Sequence, residues 1–106
     1  MSNSLLEKLK KSRQSNVEAN GYTFTIRRLN DFDIGEIVQG GGVLNPKALC
    51  KRCVVDWPGM TELKLGIPSG TNEAVPFDAD LFIEWLSEQR EVWETLRDQI
   101  WQAYTQ

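Results

Sequence analysis

Cys50-Lys51-Arg52-Cys53 is the one motif in this chain of 106 residues whose spacing could do chemistry. Two such thiols can cycle between dithiol and disulfide or offer two sulfurs to a metal, and the cations between them would favour a thiolate. Two facts weigh against that use. A structural zinc needs a full tetrahedral set of ligands, and the chain has only two cysteines and no histidine. A thioredoxin-like pair opens a helix after a strand in a βαβ unit, whereas Cys50 and Cys53 fall inside a predicted helix. Cysteine is also among the most often buried residue types. Core thiols are therefore the main expectation. A small thiol redox protein using Cys50 and Cys53 is the alternative, with a metal shared between molecules behind it.

The lack of histidine removes the usual general base, the usual metal ligand and the near-neutral pH switch together. Asp78, Asp80, Glu84, Glu88, Glu91, Glu94 and Asp98 could supply an acid–base pair by number. They fall at a helix cap and on the polar faces of predicted helices, where a solvated acidic surface is expected rather than a catalytic dyad. No enzymatic activity, no cofactor and no metal are expected.

Charge is segregated. Residues 1–30 carry six basic and two acidic side chains, a net +4, and residues 31–106 carry six basic and thirteen acidic ones, a net −7, which together give the formal −3. The acidic part disfavours a nucleic-acid groove. Lys8, Lys10, Lys11 and Arg13 fit a solvated helix face better than an RNA or DNA contact. No apolar run reaches the ~18–20 residues that cross a bilayer. The first residues lack the apolar h-region and small-residue cleavage site of a secretory signal, so a cytoplasmic protein that does not enter a membrane is expected.

The elements that would carry these side chains can be placed from pattern. Residues 1–14 form an amphipathic segment, helical over 4–14, with Leu5, Leu6 and Leu9 on a single narrow stripe. Such a stripe either packs on the domain or is ordered only by a partner, mobile until then. Residues 15–106 form one α+β domain. Asn20-Gly21 suits a type I′ turn. It pairs Ala19 with Tyr22, Val17 with Phe24 and Ser15 with Ile26, leaving Thr23, Thr25 and Arg27 on the other face. A hairpin alone is marginal in water, so its apolar face must lie on helices or its edge on a third strand.

Asn30 caps a helix whose first turn holds Asp31 and Asp33 and whose apolar stripe is Phe32, Ile34, Ile37 and Val38. Gly40-Gly41-Gly42 stops it as a connector; no phosphate-loop frame follows. Asn45-Pro46 opens another helix that runs to about Val55, and Trp57-Pro58-Gly59 turns the chain. Residues 60–76 read as a long loop with a short strand at Leu63-Lys64-Leu65. Asp78 caps a helix bearing Leu81, Phe82, Trp85 and Leu86. After a break near Glu88-Gln89-Arg90, a last helix presents Val92, Trp93, Leu96, Ile100, Ala103 and Tyr104. The expected fold is a small, mostly helical α+β domain with an early β-hairpin on several short helices and a C-terminal helix pair.

All four tryptophans, Trp57, Trp85, Trp93 and Trp101, lie in the second half of the chain. On one straight helix Trp85, Trp93 and Trp101 would each be turned about 80° from the last. They cannot share one seam, so at least one indole should reach the surface. Trp57, Phe77, Trp85, Trp93, Trp101 and Tyr104 are either core or a binding hot spot, and they are the candidate partner-binding residues.

The order of these segments resembles the tail assembly chaperones of long-tailed bacteriophages and prophages. The likeness rests on Tyr22-Thr23-Phe24-Thr25-Ile26-Arg27-Arg28-Leu29-Asn30 ending the hairpin, on Val54-Val55-Asp56-Trp57-Pro58-Gly59, and on Val75-Pro76-Phe77-Asp78 before the final helix pair. It spans roughly residues 15–104, with Leu63 to Ala74 longer than in that pattern. The resemblance implies a non-enzymatic chaperone in the bacterial host cytoplasm. It would bind the tape measure protein, and the tail tube protein as a further partner, during tail morphogenesis. It also implies self-association, and in many relatives a longer form made by ribosomal frameshifting.

Overall fold

A computed structural model describes residues 2–37 and 46–105. The expected apolar Val38, the Gly40-Gly41-Gly42 connector and the Asn45 cap lie outside the described residues. The elements run α1 (Ser2–Ser12), β1 (Gln14–Ala19), β2 (Tyr22–Arg27), α2 (Asp31–Ile37), α3 (Pro46–Cys53), β3 (Val54–Asp56), α4 (Ala79–Leu86) and α5 (Arg90–Thr105). The chain is an α+β domain, more helical than extended, with an early hairpin and a C-terminal helix pair. No helix among the described residues is long and apolar enough to cross a membrane.

The hairpin forms around Asn20-Gly21, whose φ angles of 51° and 86° are those a type I′ turn demands. Its register is the expected one, with Ala19 opposite Tyr22, Val17 opposite Phe24 and Ser15 opposite Ile26. One face turns inward: Ala19, Phe24 and Ile26 are buried. On the other face the Thr25 hydroxyl donates to Asn16 Oδ1 at 2.8 Å.

A third strand corrects the expected helix through Val55. The helix ends at Cys53, and Val54–Asp56 pairs antiparallel with β2, giving the sheet order β1-β2-β3. Helical spacing alone would extend α3, but Val54 and Val55 are β-branched and the open edge of β2 offers them hydrogen bonds. Thr25 faces Asp56 and Ile26 faces Val54, so Val55 is the extra residue of a bulge.

Helix α2 shows a second difference. Asn30 caps it as expected: Asn30 Oδ1 accepts from the Asp33 amide at 2.9 Å, while Asp33 Oδ2 accepts from the Asn30 amide at 3.0 Å. Asp33, read as a first-turn charge, is instead buried. Arg27 forks onto it at 2.8 and 3.1 Å, and Arg52 adds a contact at 3.2 Å. Arg27 Nε also donates to the Arg52 carbonyl at 2.9 Å, and Arg52 reaches Glu36. One carboxylate thereby ties β2, α2 and the end of α3. The arginine fork holds the Asp33 carboxyl below its ordinary range and pushes the Arg27 guanidinium up. Phe32, placed in the apolar stripe, is 85% exposed. Ile34 and Ile37 pack on the core, and turning them inward on so short a helix rotates Phe32 out.

Helix α1 ends at Ser12, two residues before the expected boundary, because Gln14 already pairs with Arg27. Its Leu5, Leu6 and Leu9 are 72%, 48% and 49% exposed, so the stripe stays unfilled.

The segment 60–76 is loop, but Leu63-Lys64-Leu65 is a turn rather than the expected strand. Leu65 N donates to Thr61 O at 3.0 Å and Ile67 N to Glu62 O at 3.1 Å, local bonds that leave no extended run. Thr61 bridges Ala74, which closes the loop on itself. Gly70 crosses the base of the excursion so tightly that a Cβ there would lie 2.5 Å from Glu62 Cβ and 3.0 Å from the Ile67 carbonyl oxygen.

Removing the buried charge should expose the worth of the Asp33 network. Asp33→Asn is expected to cost about 2–4 kcal/mol in urea unfolding at neutral pH. A carboxylate whose folded pKa lies below its unfolded value near 3.8 stabilises the fold above that value. The contribution fades as pH falls through the depressed folded pKa, so the gap between wild type and variant should close in acid; a gap independent of pH would contradict the charge pairing. Gly70→Ala should cost about 1–3 kcal/mol by the same measurement, because backbone must shift to admit the methyl.

Candidate functional site

Asp78 positions the C-terminal pair by accepting from the Leu81 amide at 2.9 Å, which fixes where α4 begins. The chain breaks at Ser87–Gln89, where the Ser87 hydroxyl donates to Glu84 O at 2.7 Å and Gln89 N to Leu86 O at 2.9 Å. Helix α5 then packs against α3 and β1. Its buried stripe is Val92, Leu96 and Ile100. One residue further along at each step come Trp93, Arg97 and Trp101, a neighbouring stripe turned about 100° from the core.

That geometry divides the six candidate residues into two groups. Trp93 is half-buried and lines a groove of about 400 Å³ with Pro46 and Lys47 of α3, Ile83, Glu84 and Leu86 of α4, and Ser87. The Arg97 guanidinium lies 5.8 Å from the Trp93 ring centre, a cation–π contact beside the groove. Trp101 is 40% exposed and packs against Tyr104 in a tilted pair, ring centres 5.6 Å apart and planes 40° from parallel. The Tyr104 hydroxyl donates to Asp31 Oδ1 at 2.8 Å, which raises the phenol pKa and ties the end of α5 to the start of α2.

The other three belong to the aromatic centre. Trp57, offered as a binding residue, is 1% exposed and is corrected to a core residue. Its indole N–H donates to Val75 O at 2.8 Å, and its ring meets Phe77, Phe82 and Trp85 edge-on at 5.3, 6.1 and 6.5 Å. Phe77 and Trp85 are half-buried against the same cluster. Trp85 also packs edge-on against Tyr22 at 5.1 Å, and its buried N–H has no acceptor among the described residues.

Ile83, Leu86 and Pro46 were not among the expected site residues. The signal for Ile83 and Leu86 was in α4 itself, where only Asp80 and Glu84 are polar; Pro46, which opens α3, carried none. A helix so apolar around most of its circumference must serve a second surface once one face has joined the core.

Cys50 and Cys53 point into the core, fully buried and unpaired as a disulfide. Burial pushes the Cys50 thiol up to about 12, with Cys53 beside it adding to the rise and Arg97 opposing it. Burial likewise pushes Cys53 up to about 11 against the pull of Arg27 and Arg52. Desolvation outweighs the neighbouring cations, so neither sulfur is a thiolate at neutral pH. Among the described residues no group of three or more His, Cys, Asp or Glu side chains is arranged to hold a metal ion.

Compared with protein-family models, with curated proteins and with solved structures, the chain has no match.

Thiol titration checks the placement of the cysteines. Both should react with an aromatic disulfide reagent far more slowly than free cysteine in native buffer, and both at the free rate once the chain is denatured. Fast labelling of either in the native state would place it at the surface.

Proposed function

We propose that this chain is a non-enzymatic tail assembly chaperone of a long-tailed phage or prophage, which holds a helical segment of the tape measure protein before tail tube subunits assemble around it. The observation that carries this reading is the apolar groove lined by Ile83, Leu86 and Trp93, continued along α5 by the exposed Trp101. A space of about 400 Å³ admits one or two large apolar side chains rather than a whole helix. That is how an amphipathic helix docks, with anchors in pockets and its backbone outside. Trp93 and Trp101 are two turns apart, about 12 Å along the axis. A client helix lying alongside with apolar residues every seven or eight positions meets both.

Electrostatics supports the same reading. Glu84 lines the groove beside Lys47, and Glu88, Glu91, Glu94 and Asp98 follow it along the helix break and α5, where Arg90 pairs with Glu94, Arg97 with Asp98, and Glu91 accepts from Asn20. The residual negative field keeps a complex with an aggregation-prone client in solution and favours basic flanks on that client. Self-association and action in the host cytoplasm belong to the same reading, as does contact with the tail tube protein.

Co-expression tests it. The soluble yield of a tape measure protein from the phage or prophage that carries this gene should rise with the wild-type chain. It should fall back with Trp93→Ala/Trp101→Ala, whose loss of anchors should weaken affinity about tenfold or more. Circular dichroism should show that this variant keeps its fold, in contrast to Trp57→Ala, which should lose about 3–5 kcal/mol of stability. No gain in client solubility with the wild type, or full activity of the double variant, would overturn the proposal.

A further inference from the structure

A second concavity lies on a different part of the molecule, where the end of α1 meets the base of the sheet. It measures about 460 Å³ and is lined by Lys10, Arg13, Arg27 and Arg28 together with Gln14, Asn30 and Val55. The fold brings these cations together: the Arg28 amide donates to the Arg13 carbonyl at 2.8 Å, fixing the two arginines side by side. Arg27 is occupied by Asp33 and by the Arg52 carbonyl. Lys10, Arg13 and Arg28 have no ion-pair partner among the described residues. Three uncompensated cations around one hollow repel one another, and an anion seated there removes that repulsion. A Lys10 contribution to the helix dipole explains one of the three, and leaves both arginines without a task.

We infer that this cleft binds an acidic peptide segment of a partner protein, a site separate from the apolar groove and independent of the function proposed above. Two observations favour a peptide over a nucleic acid. The cleft opens at Gln14, the first residue of β1, and β1 is an edge strand whose residues Gln14, Ser15 and Asn16 are exposed. An extended chain can therefore add to that edge through its backbone while its carboxylates reach the arginines. A long polyphosphate would have to run past a surface that carries −7 over residues 31–106, which disfavours it, whereas a short acidic segment meets only the local positive field. Paired guanidinium groups also suit carboxylates, which accept two parallel bonds from each fork.

The test uses the full chain and a fluorescent peptide alternating Glu with Thr, followed by anisotropy at low and high salt. Binding is expected at low salt, weakened by salt, and lost by about tenfold or more in Arg13→Gln/Arg28→Gln. The control Lys8→Gln/Lys11→Gln makes the same change in net charge on α1 outside the cleft, and should bind almost as wild type. A peptide with Gln in place of Glu should not bind. The inference is overturned if the Glu peptide fails to bind at low salt, or if the control variant loses as much affinity as the cleft variant. It is also overturned if a single-stranded oligonucleotide of equal charge binds more tightly than the peptide, or if sedimentation shows that the chain self-associates and Arg13→Gln/Arg28→Gln abolishes it, which would make a second copy the occupant.

Discussion

The seating of one indole organises this molecule. Trp57 follows the third strand directly, so its position is set by the sheet, while its N–H is consumed by the Val75 carbonyl at the far end of the loop. Its ring faces Phe77 on the way into α4 and Phe82 and Trp85 within it. Sheet, loop and C-terminal helices are thus joined at a single side chain. A buried aromatic of this size dominates the local energetics, and its edge-on contacts add about 0.5–1.5 kcal/mol each beyond burial. Because Trp57 orients α4, it also sets the angle at which Ile83 and Leu86 meet Trp93. The groove is therefore a product of core packing even though Trp57 never reaches it.

Local signals made part of this fold legible in the sequence. The Asn20-Gly21 turn determined the hairpin register, since one-residue slippage would turn Phe24 and Ile26 to solvent. The Asp78 cap and the break, expected near Glu88-Gln89-Arg90 and found at Ser87–Gln89 with Arg90 opening α5, were readable for the same reason: caps and turns depend on neighbours in the chain. Features that depend on distant partners were not. Val54–Asp56 could continue a helix or form a strand, and the open edge of β2 decided. Asp33 looked like an ordinary first-turn charge until Arg27 and Arg52 converged on it. Phe32 looked like core because the short α2 admits two choices of inward face.

The candidate site divides along the same line. That some indole must reach the surface followed from helix geometry, and Trp101 does. Which one would be sealed did not follow, because Trp57 and Trp101 differ in tertiary surroundings and not in residue type. The Cys50-x-x-Cys53 spacing was conspicuous in the sequence, yet its position inside α3 already pointed inward. Ile83 and Leu86 were hidden by their own helix, whose apolar excess could be counted but not assigned to a face without α3 and α5.

The Thr61–Ala74 bridge has a consequence for how this protein can vary. It clamps the two stems of the excursion together beside Trp57, so the chain beyond the clamp begins and ends at nearly the same point. Closure entropy grows slowly with length, about 0.6 kcal/mol per doubling. Descendants could therefore gain or shed residues at the exposed Pro68-Ser69 turn while the hub below stays in register, provided that Gly70 keeps its close seat against Glu62. Such a spot is a natural insertion point for an epitope or a reporter peptide.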